Sequence, residues 1–311
     1  MTQLITVKEA NLQQMDCHQR YCEELEKANI LLFSKCPFDF PQEELDFLLL
    51  QKQTGAANRK NIAYKPQSNK ITNITTLSEE QRVKMLDIMQ SYSRKTMDLL
   101  AHILAPYADK WKLDYASFRP FQEKGRQLRT RARNDLLHVD SFSSRPVHGD
   151  RILRFFTNIN PLEKRHWITS DSFETLAGLF GGTSKLPFPQ GVHETFSGRL
   201  IRAFKKSAYK LGLPITLRSP YDSFMLNMHN FLKENQEFQE NCPKDYWEFP
   251  PHSCWAVFTD QVSHAAISGQ YALEQTVIIP RLALSMPEAA PVSILEKITK
   301  SSIVDSLFLP H

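Results

Sequence analysis

From residue 115 onward the chain breaks into short tracts dense in aromatic and β-branched residues: YASFRPFQ, RQLRTRA, LLHVDSF, RILRFFTNIN, HWITS, SCWAVFT and YALEQTVIIP. Turn residues separate them, so each reads as a strand. Between the fifth and sixth lies an insertion of about 80 residues with two predicted helices, HETFSGRLIRAFKKSAYKLG and PYDSFMLNMHNFLKENQEFQ. An insertion of that length in an antiparallel core usually carries function. Upstream the pattern is helical: residues 8–28, PQEELDFLLLQKQ with its leading proline and early acids, and a long segment opening on the capping box Ser78…Gln81. Val83, Met85, Leu86 and Met89 follow at helical spacing, and Pro106 interrupts or ends the helix. Strands behind a helical layer point to a two-sheet jelly roll. The expectation is one α+β domain over 1–311. Residues 1–112 form a mainly helical layer and 113–285 the jelly-roll core, with the helical insertion at about 170–250. A tail follows at 286–311, helical over 292–306.

The totals narrow the class. Hydrophobic content of 41% with 23% charged residues fits a globular protein, and a net charge of +4 permits anionic partners without demanding nucleic acid. No nucleic-acid module is recognisable, so that partner is discounted. The cysteines at 17, 22, 36, 242 and 254 form no CxxC pair, and the opening residues lack a basic, then apolar, secretory pattern. Reduced thiols in a cytoplasmic protein are expected. No run approaches the roughly 20 apolar residues of a bilayer span, so membrane contact would be peripheral.

His138 and Asp140 stand two residues apart in LLHVDSF, and positions i and i+2 of a strand share a face. Together they offer a nitrogen and an oxygen to a metal. A second histidine would complete the two-His-one-carboxylate face diagnostic of non-haem Fe(II) oxygenases. His264, between a tight turn and a strand, is the best candidate. His148 in a Pro/Gly/Asp turn, His229 on an insertion helix and His252 after two prolines are weaker. On spacing alone, a His–Asp pair that is merely hydrogen-bonded remains the competing reading.

Three tracts, LLHVDSFSSRPVHGDRILRFFTNINP, RSPYDSFMLNMHNFLKENQEFQ and CWAVFTDQVSHAAISGQYALEQTVIIP, resemble the Kdo hydroxylases, over roughly residues 30 to 285. The resemblance implies a double-stranded β-helix with His138, Asp140 and His264 on Fe(II), and 2-oxoglutarate and O2 as cosubstrates. It further implies hydroxylation at C3 of 3-deoxy-D-manno-oct-2-ulosonic acid (Kdo) to give Ko. The substrate would be a Kdo-bearing lipid A precursor at the cytoplasmic face of the inner membrane, in lipopolysaccharide inner-core biosynthesis. The alternatives are a 2-oxoglutarate oxygenase with another small-molecule or protein substrate, and a non-catalytic jelly roll that binds glycolipid. The sequence does not fix the oligomeric state.

The distal carboxylate of 2-oxoglutarate needs a cation, ideally a bidentate arginine. Many superfamily members carry one on the strand after the distal histidine, but YALEQTVIIP has none. Gln275, with Thr276 assisting, is expected inward. Arg154, costly among Leu153, Phe155 and Phe156 unless paired, is the expected cation, and Asn158 shares its parity. Arg131 and Arg133 are alternatives. Arg129, Arg131 and Arg133 would share one strand face toward an anionic substrate. Lys124 and Arg126, with Arg199, Arg202, Lys205, Lys206 and Lys210 of the insertion, would meet anionic headgroups, unless these runs are ordinary solvated faces.

Overall fold

The computed structural model describes residues 2–8, 14–51, 61–74, 77–190 and 216–304. Among these residues the α-helices are α1 (Met15–Glu26), α2 (Gln42–Leu49), α3 (Glu79–Ile103), α4 (Phe173–Phe180), α5 (Pro220–Glu234), α6 (Gln236–Asn241) and α7 (Pro291–Thr299). The strands are β1 (Leu4–Thr6), β2 (Ile30–Phe33), β3 (Ile62–Lys65), β4 (Lys70–Thr72), β5 (Lys112–Arg119), β6 (Arg151–Asn158), β7 (Arg165–Ser172), β8 (Asp245–Phe249), β9 (Cys254–Phe258), β10 (Val262–Ser268) and β11 (Ala272–Ile279). A mixed sheet has the order β1-β2-β9-β6-β11-β5-β3-β4, and a smaller antiparallel sheet the order β10-β7-β8. A lone antiparallel bridge, His138↔His264, adds one residue pair to the free edge of β10.

Aromatic stacking joins the two sheets. Trp167 of the small sheet meets Phe156 edge-on at 4.8 Å and Trp255 at 5.6 Å, while Phe249 stacks on Trp255 at 3.9 Å. The large sheet's other face lies under the helices. Met85, Ile88, Met89, Tyr92, Leu100 and Ile103 of α3 are buried at three- and four-residue spacing, and Met85 to Tyr92 pack with Tyr64, Ala116, Phe118 and Leu273 of the strands. The expected capping box forms, since Ser78 and Gln81 exchange side-chain-to-backbone bonds. Val83, expected on the apolar face, is 53% exposed.

Other expectations need correction. Residues 126–132 form no strand. Thr130–Ala132 make a 3-10 turn, so Arg129, Arg131 and Arg133 do not line a strand face. Local pairing wins there. Arg133 clasps Asp135 through Nε at 2.9 Å and Nη2 at 2.7 Å, and Arg131 reaches Glu234 at 2.6 Å. LLHVDSF contributes the single bridge rather than a strand. The first 112 residues are less helical than expected, because β1–β4 extend both edges of the large sheet. Within the insertion, α5 and α6 occupy the second predicted helix, and α4 and β8 are additional. The first predicted helix, residues 193–212, lies outside the described residues. The tail helix ends earlier than expected, at Thr299, where Lys300 turns left-handed at φ 51°.

Candidate metal centre

The site is assembled by backbone pairing. His138 and His264 exchange both main-chain bonds, His138 N–H to His264 O at 3.1 Å and the reverse at 2.9 Å, which sets their rings 4.7 Å apart. Asp140 N–H donates to Thr259 O at 2.8 Å, seating the carboxylate over the β9–β10 turn. Its Oδ1 lies 3.6 Å from His138 Nε2 and its Oδ2 3.9 Å from His264 Nε2.

Each imidazole is held at Nδ1 by a backbone carbonyl: His138 by Leu136 at 2.7 Å, His264 by Val262 at 3.1 Å. A protonated Nδ1 leaves Nε2 as a bare lone pair, the tautomer a metal requires. Burial lowers the pKa of both rings, and for His138 the charge of Lys233 lowers it further. Burial alone would raise the Asp140 carboxyl, but Arg154, His264 and His138 more than offset it and hold it below the usual range. Its buried Oδ2 is ion-paired with Arg154 Nε at 2.9 Å, outside hydrogen-bond geometry. Two neutral imidazoles with bare Nε2 atoms thus converge on an ionised carboxylate that is also paired with Arg154.

His229, set aside from the sequence, belongs to the same cluster. Its Nδ1 is bound to Val139 O at 2.8 Å and its ring meets His138 edge-on at 4.9 Å. His138, Asp140 and His229 offer donor atoms within 4.8 Å of one another. Burial and the Lys233 charge push its pKa down to about 4. The helices of the insertion grip the segment around His138 and Asp140 along its length. Asp222 accepts from Val147 and His148 N–H (2.9 and 3.0 Å), Gln239 brackets the Leu137 N–H and carbonyl (both 2.9 Å), and Lys233 donates to Arg131 O at 3.1 Å. Motif spacing points to none of this, because helix α5 is brought in by tertiary packing.

Beside Asp140 lies a buried charge network. Arg154 contacts Asp140 Oδ2 at 2.9 Å and Glu274 Oε1 at 3.0 Å. Arg119 on β5 donates to the other oxygen of Glu274. Glu123 binds Arg165 at 3.2 Å and Arg126 at 3.1 Å. Among the described residues the network thus joins Arg119, Arg126, Arg154 and Arg165 to Asp140, Glu123 and Glu274. Burial would raise Glu274, but Arg154 and Arg119 bring it down to about 2. Trp167 stacks on His264 at 5.3 Å and forms a wall. Arg119 and Arg165 were not singled out in the sequence: a cation in or beside a strand tract is a weak signal until the strand order places it here.

Of the residues expected around the cosubstrate, Arg154 and Thr276 meet: they are cross-strand partners, and the Thr276 hydroxyl donates to Glu274 Oε1 at 2.9 Å. Asn158 and Gln275 do not. Asn158 shares Arg154's face but sits four residues on, about 13 Å along the strand. There its amide donates to the carbonyls of Glu163, Phe249 and Pro250 and staples the strand end. Gln275 faces the helical layer beside Phe155. It serves a register shift between β11 and β5, donating to Asp114 O at 3.0 Å. Inward parity on β11 belongs to Glu274 and Thr276.

Comparison with known proteins agrees with this geometry. The chain matches the model of the 3-deoxy-D-manno-oct-2-ulosonic acid (Kdo) hydroxylase family over residues 8–302. Among solved structures it is similar to the Kdo hydroxylase KdoO, a non-heme Fe(II) alphaketoglutarate dependent dioxygenase, in complex with cobalt(II) (31% identity, 99% of each chain, TM-score 0.83). The same enzyme with alphaketoglutarate and Fe(III) matches at 31% identity over 99% of each chain, with a TM-score of 0.82. No curated protein matches. The chain belongs to the Kdo hydroxylase family.

Proposed function

We propose that this protein is an Fe(II)/2-oxoglutarate-dependent dioxygenase that hydroxylates C3 of Kdo. The observation that carries the reading is the convergence of His138 and His264, with bare Nε2 atoms, on the buried, ionised Asp140 carboxylate. The core supports a double-stranded β-helix. The chain runs between the sheets in the order β5 (large), His138 segment (small), β6 (large), β7 and β8 (small), β9 (large), β10 (small), β11 (large). That is a jelly-roll winding. We read 1–311 as one such domain, with the described residues of 1–112 and of 286–304 packed on the core.

His138, Asp140 and His264 would hold the iron. Bound there, Fe(II) supplies the redox chemistry that couples conversion of 2-oxoglutarate to succinate and CO2 with insertion of one oxygen atom from O2 at the sugar carbon. Three protein ligands leave three positions for cosubstrates, so one of the four clustered side chains stands off. We assign that place to His229, tied to the frame by one ring nitrogen, whereas His138 and His264 are locked by reciprocal backbone bonds. Arg154 and Thr276, joined by Arg119 and Arg165, would orient the cosubstrate carboxylates through fixed guanidinium donors. The Trp167–Phe156–Trp255 wall keeps water from that side.

The lipid-linked substrate and its location belong to the same proposal. A Kdo-bearing lipid A precursor is anionic, and Lys124, Arg129 and Arg131 are exposed beside the segment that leads to His138. No helix among the described residues is long and apolar enough to cross a membrane; peripheral contact at the cytoplasmic face of the inner membrane is the arrangement we infer. The basic run Arg199, Arg202, Lys205, Lys206 and Lys210 lies outside the described residues. The test is incubation with Fe(II), 2-oxoglutarate, O2 and Kdo-lipid A precursor. Succinate and a product heavier by one oxygen on the sugar are expected, and unchanged lipid with active enzyme from another family member as control would overturn the reading.

A further inference from the structure

We propose that Lys233 is the binding site for the carboxylate of the substrate sugar, a role that rests on the Kdo reading above. The buried guanidiniums of this chain each have a carboxylate partner: Arg119 with Glu274, Arg151 with Asp260, Arg154 with Asp140, Arg165 with Glu123. Lys233 differs. It is 5% exposed, yet its ammonium makes one hydrogen bond, to the Arg131 carbonyl at 3.1 Å, and no ion pair among the described residues. An ammonium carries three donors, and a buried charge without a counter-charge is costly.

The two acids whose charges reach it are occupied elsewhere. Asp135 is clasped by both donors of Arg133, and Asp140 faces Arg154. Lys233 follows His229 by four residues on α5, so the two share a helix face. That face bears on the metal centre. His229 meets the His138 ring edge-on at 4.9 Å and bonds Val139 O, and Lys233, one turn on, bonds the chain leading to His138 at Arg131 O. The structure therefore holds two cation groups around one donor set: arginines on the strands, and a lysine on the insertion helix.

The substrate's chemistry fits the second group. A 3-deoxy-2-ulosonic acid carries its carboxylate at C1, two bonds from the methylene at C3. Holding the carboxylate on Lys233 keeps C3 close to the centre formed by His138, Asp140 and His264, while hydroxyl-bearing carbons further along the sugar extend away. One ammonium thus selects acidic sugars and the carbon attacked.

The experiment compares wild type, Lys233→Met and Lys233→Arg on Kdo-lipid and on its C1 methyl ester, reading KM for sugar and for 2-oxoglutarate separately. Lys233→Met should raise the KM for the acid about tenfold or more, the weight of a charge-assisted hydrogen bond. The KM for 2-oxoglutarate and the iron content should not change, and Lys233→Arg should recover part of the loss. Wild type should prefer acid to ester, and the variant should not. A wild type that turns over ester and acid equally overturns the proposal even if Lys233→Met fails to fold. So does a KM change confined to 2-oxoglutarate. Wild type without any hydroxylated product would sink the Kdo reading together with this one, whereas the other two results leave that reading standing.

Discussion

His229 shows what burial does to a single titratable side chain. Its folded pKa of about 4 lies below the ordinary histidine value because burial and Lys233 both disfavour the imidazolium. In the unfolded chain the ring takes up a proton near pH 6.5. Between these values the unfolded state binds more protons, so stability is present above about pH 6.5 and is lost as pH falls toward 4. The full effect is about 3 kcal/mol for this one residue. Thermal melts of the metal-free protein between pH 7 and pH 4 should fall steeply, and His229→Asn should flatten that limb. A variant with the wild-type slope would contradict the assignment. His229 ranked only as a weaker candidate in the sequence because no local motif records where α5 packs. His138 and Asp140 were legible because two residues on one extended segment need no tertiary information to share a face.

At the scale of elements, the β9–β10 turn is where the site is set. Thr259 O fixes Asp140, and His264 lies five residues further on. The turn is in turn tied to β6: Asp260 accepts from Arg151 Nε at 2.8 Å and Nη2 at 3.2 Å, both residues being essentially fully buried. Arg151 also lies over the Phe258 ring at 4.2 Å. Burial raises the Asp260 carboxyl despite Arg151, so the pair is held together at a desolvation cost. Removing one partner strands the other. Asp260→Ala should destabilise the chain by about 3–5 kcal/mol and weaken iron binding, read by denaturant unfolding and metal content. Loss below about 1 kcal/mol would show that the pair does not anchor the turn. Strands β6, β7, β9 and β11 were readable from their aromatic and β-branched density. The 126–132 tract was misread because alternating arginines imitate strand parity, while the described backbone there makes a 3-10 turn at Thr130–Ala132 with no strand beside it.

For the whole molecule, the winding of eight chain segments between two sheets brings residues 138 and 264 into one hydrogen-bonded pair across an insertion that then grips the paired segment from outside. The helical buttress and the distal partner of the His-x-Asp pair were legible. Of the buried charge network beside Asp140, the sequence singled out Arg154 and Thr276, since Glu274 depends on β11 register and Arg119 and Arg165 on strand order. The central claim is that three side chains from these two segments hold one ferrous ion. Anaerobic Fe(II) titration of wild type, Asp140→Ala and His264→Ala, followed by metal analysis, tests it most directly. Wild type should take up about one iron per chain and both variants should lose it while melting cooperatively; iron retained at wild-type affinity in either variant would contradict the account.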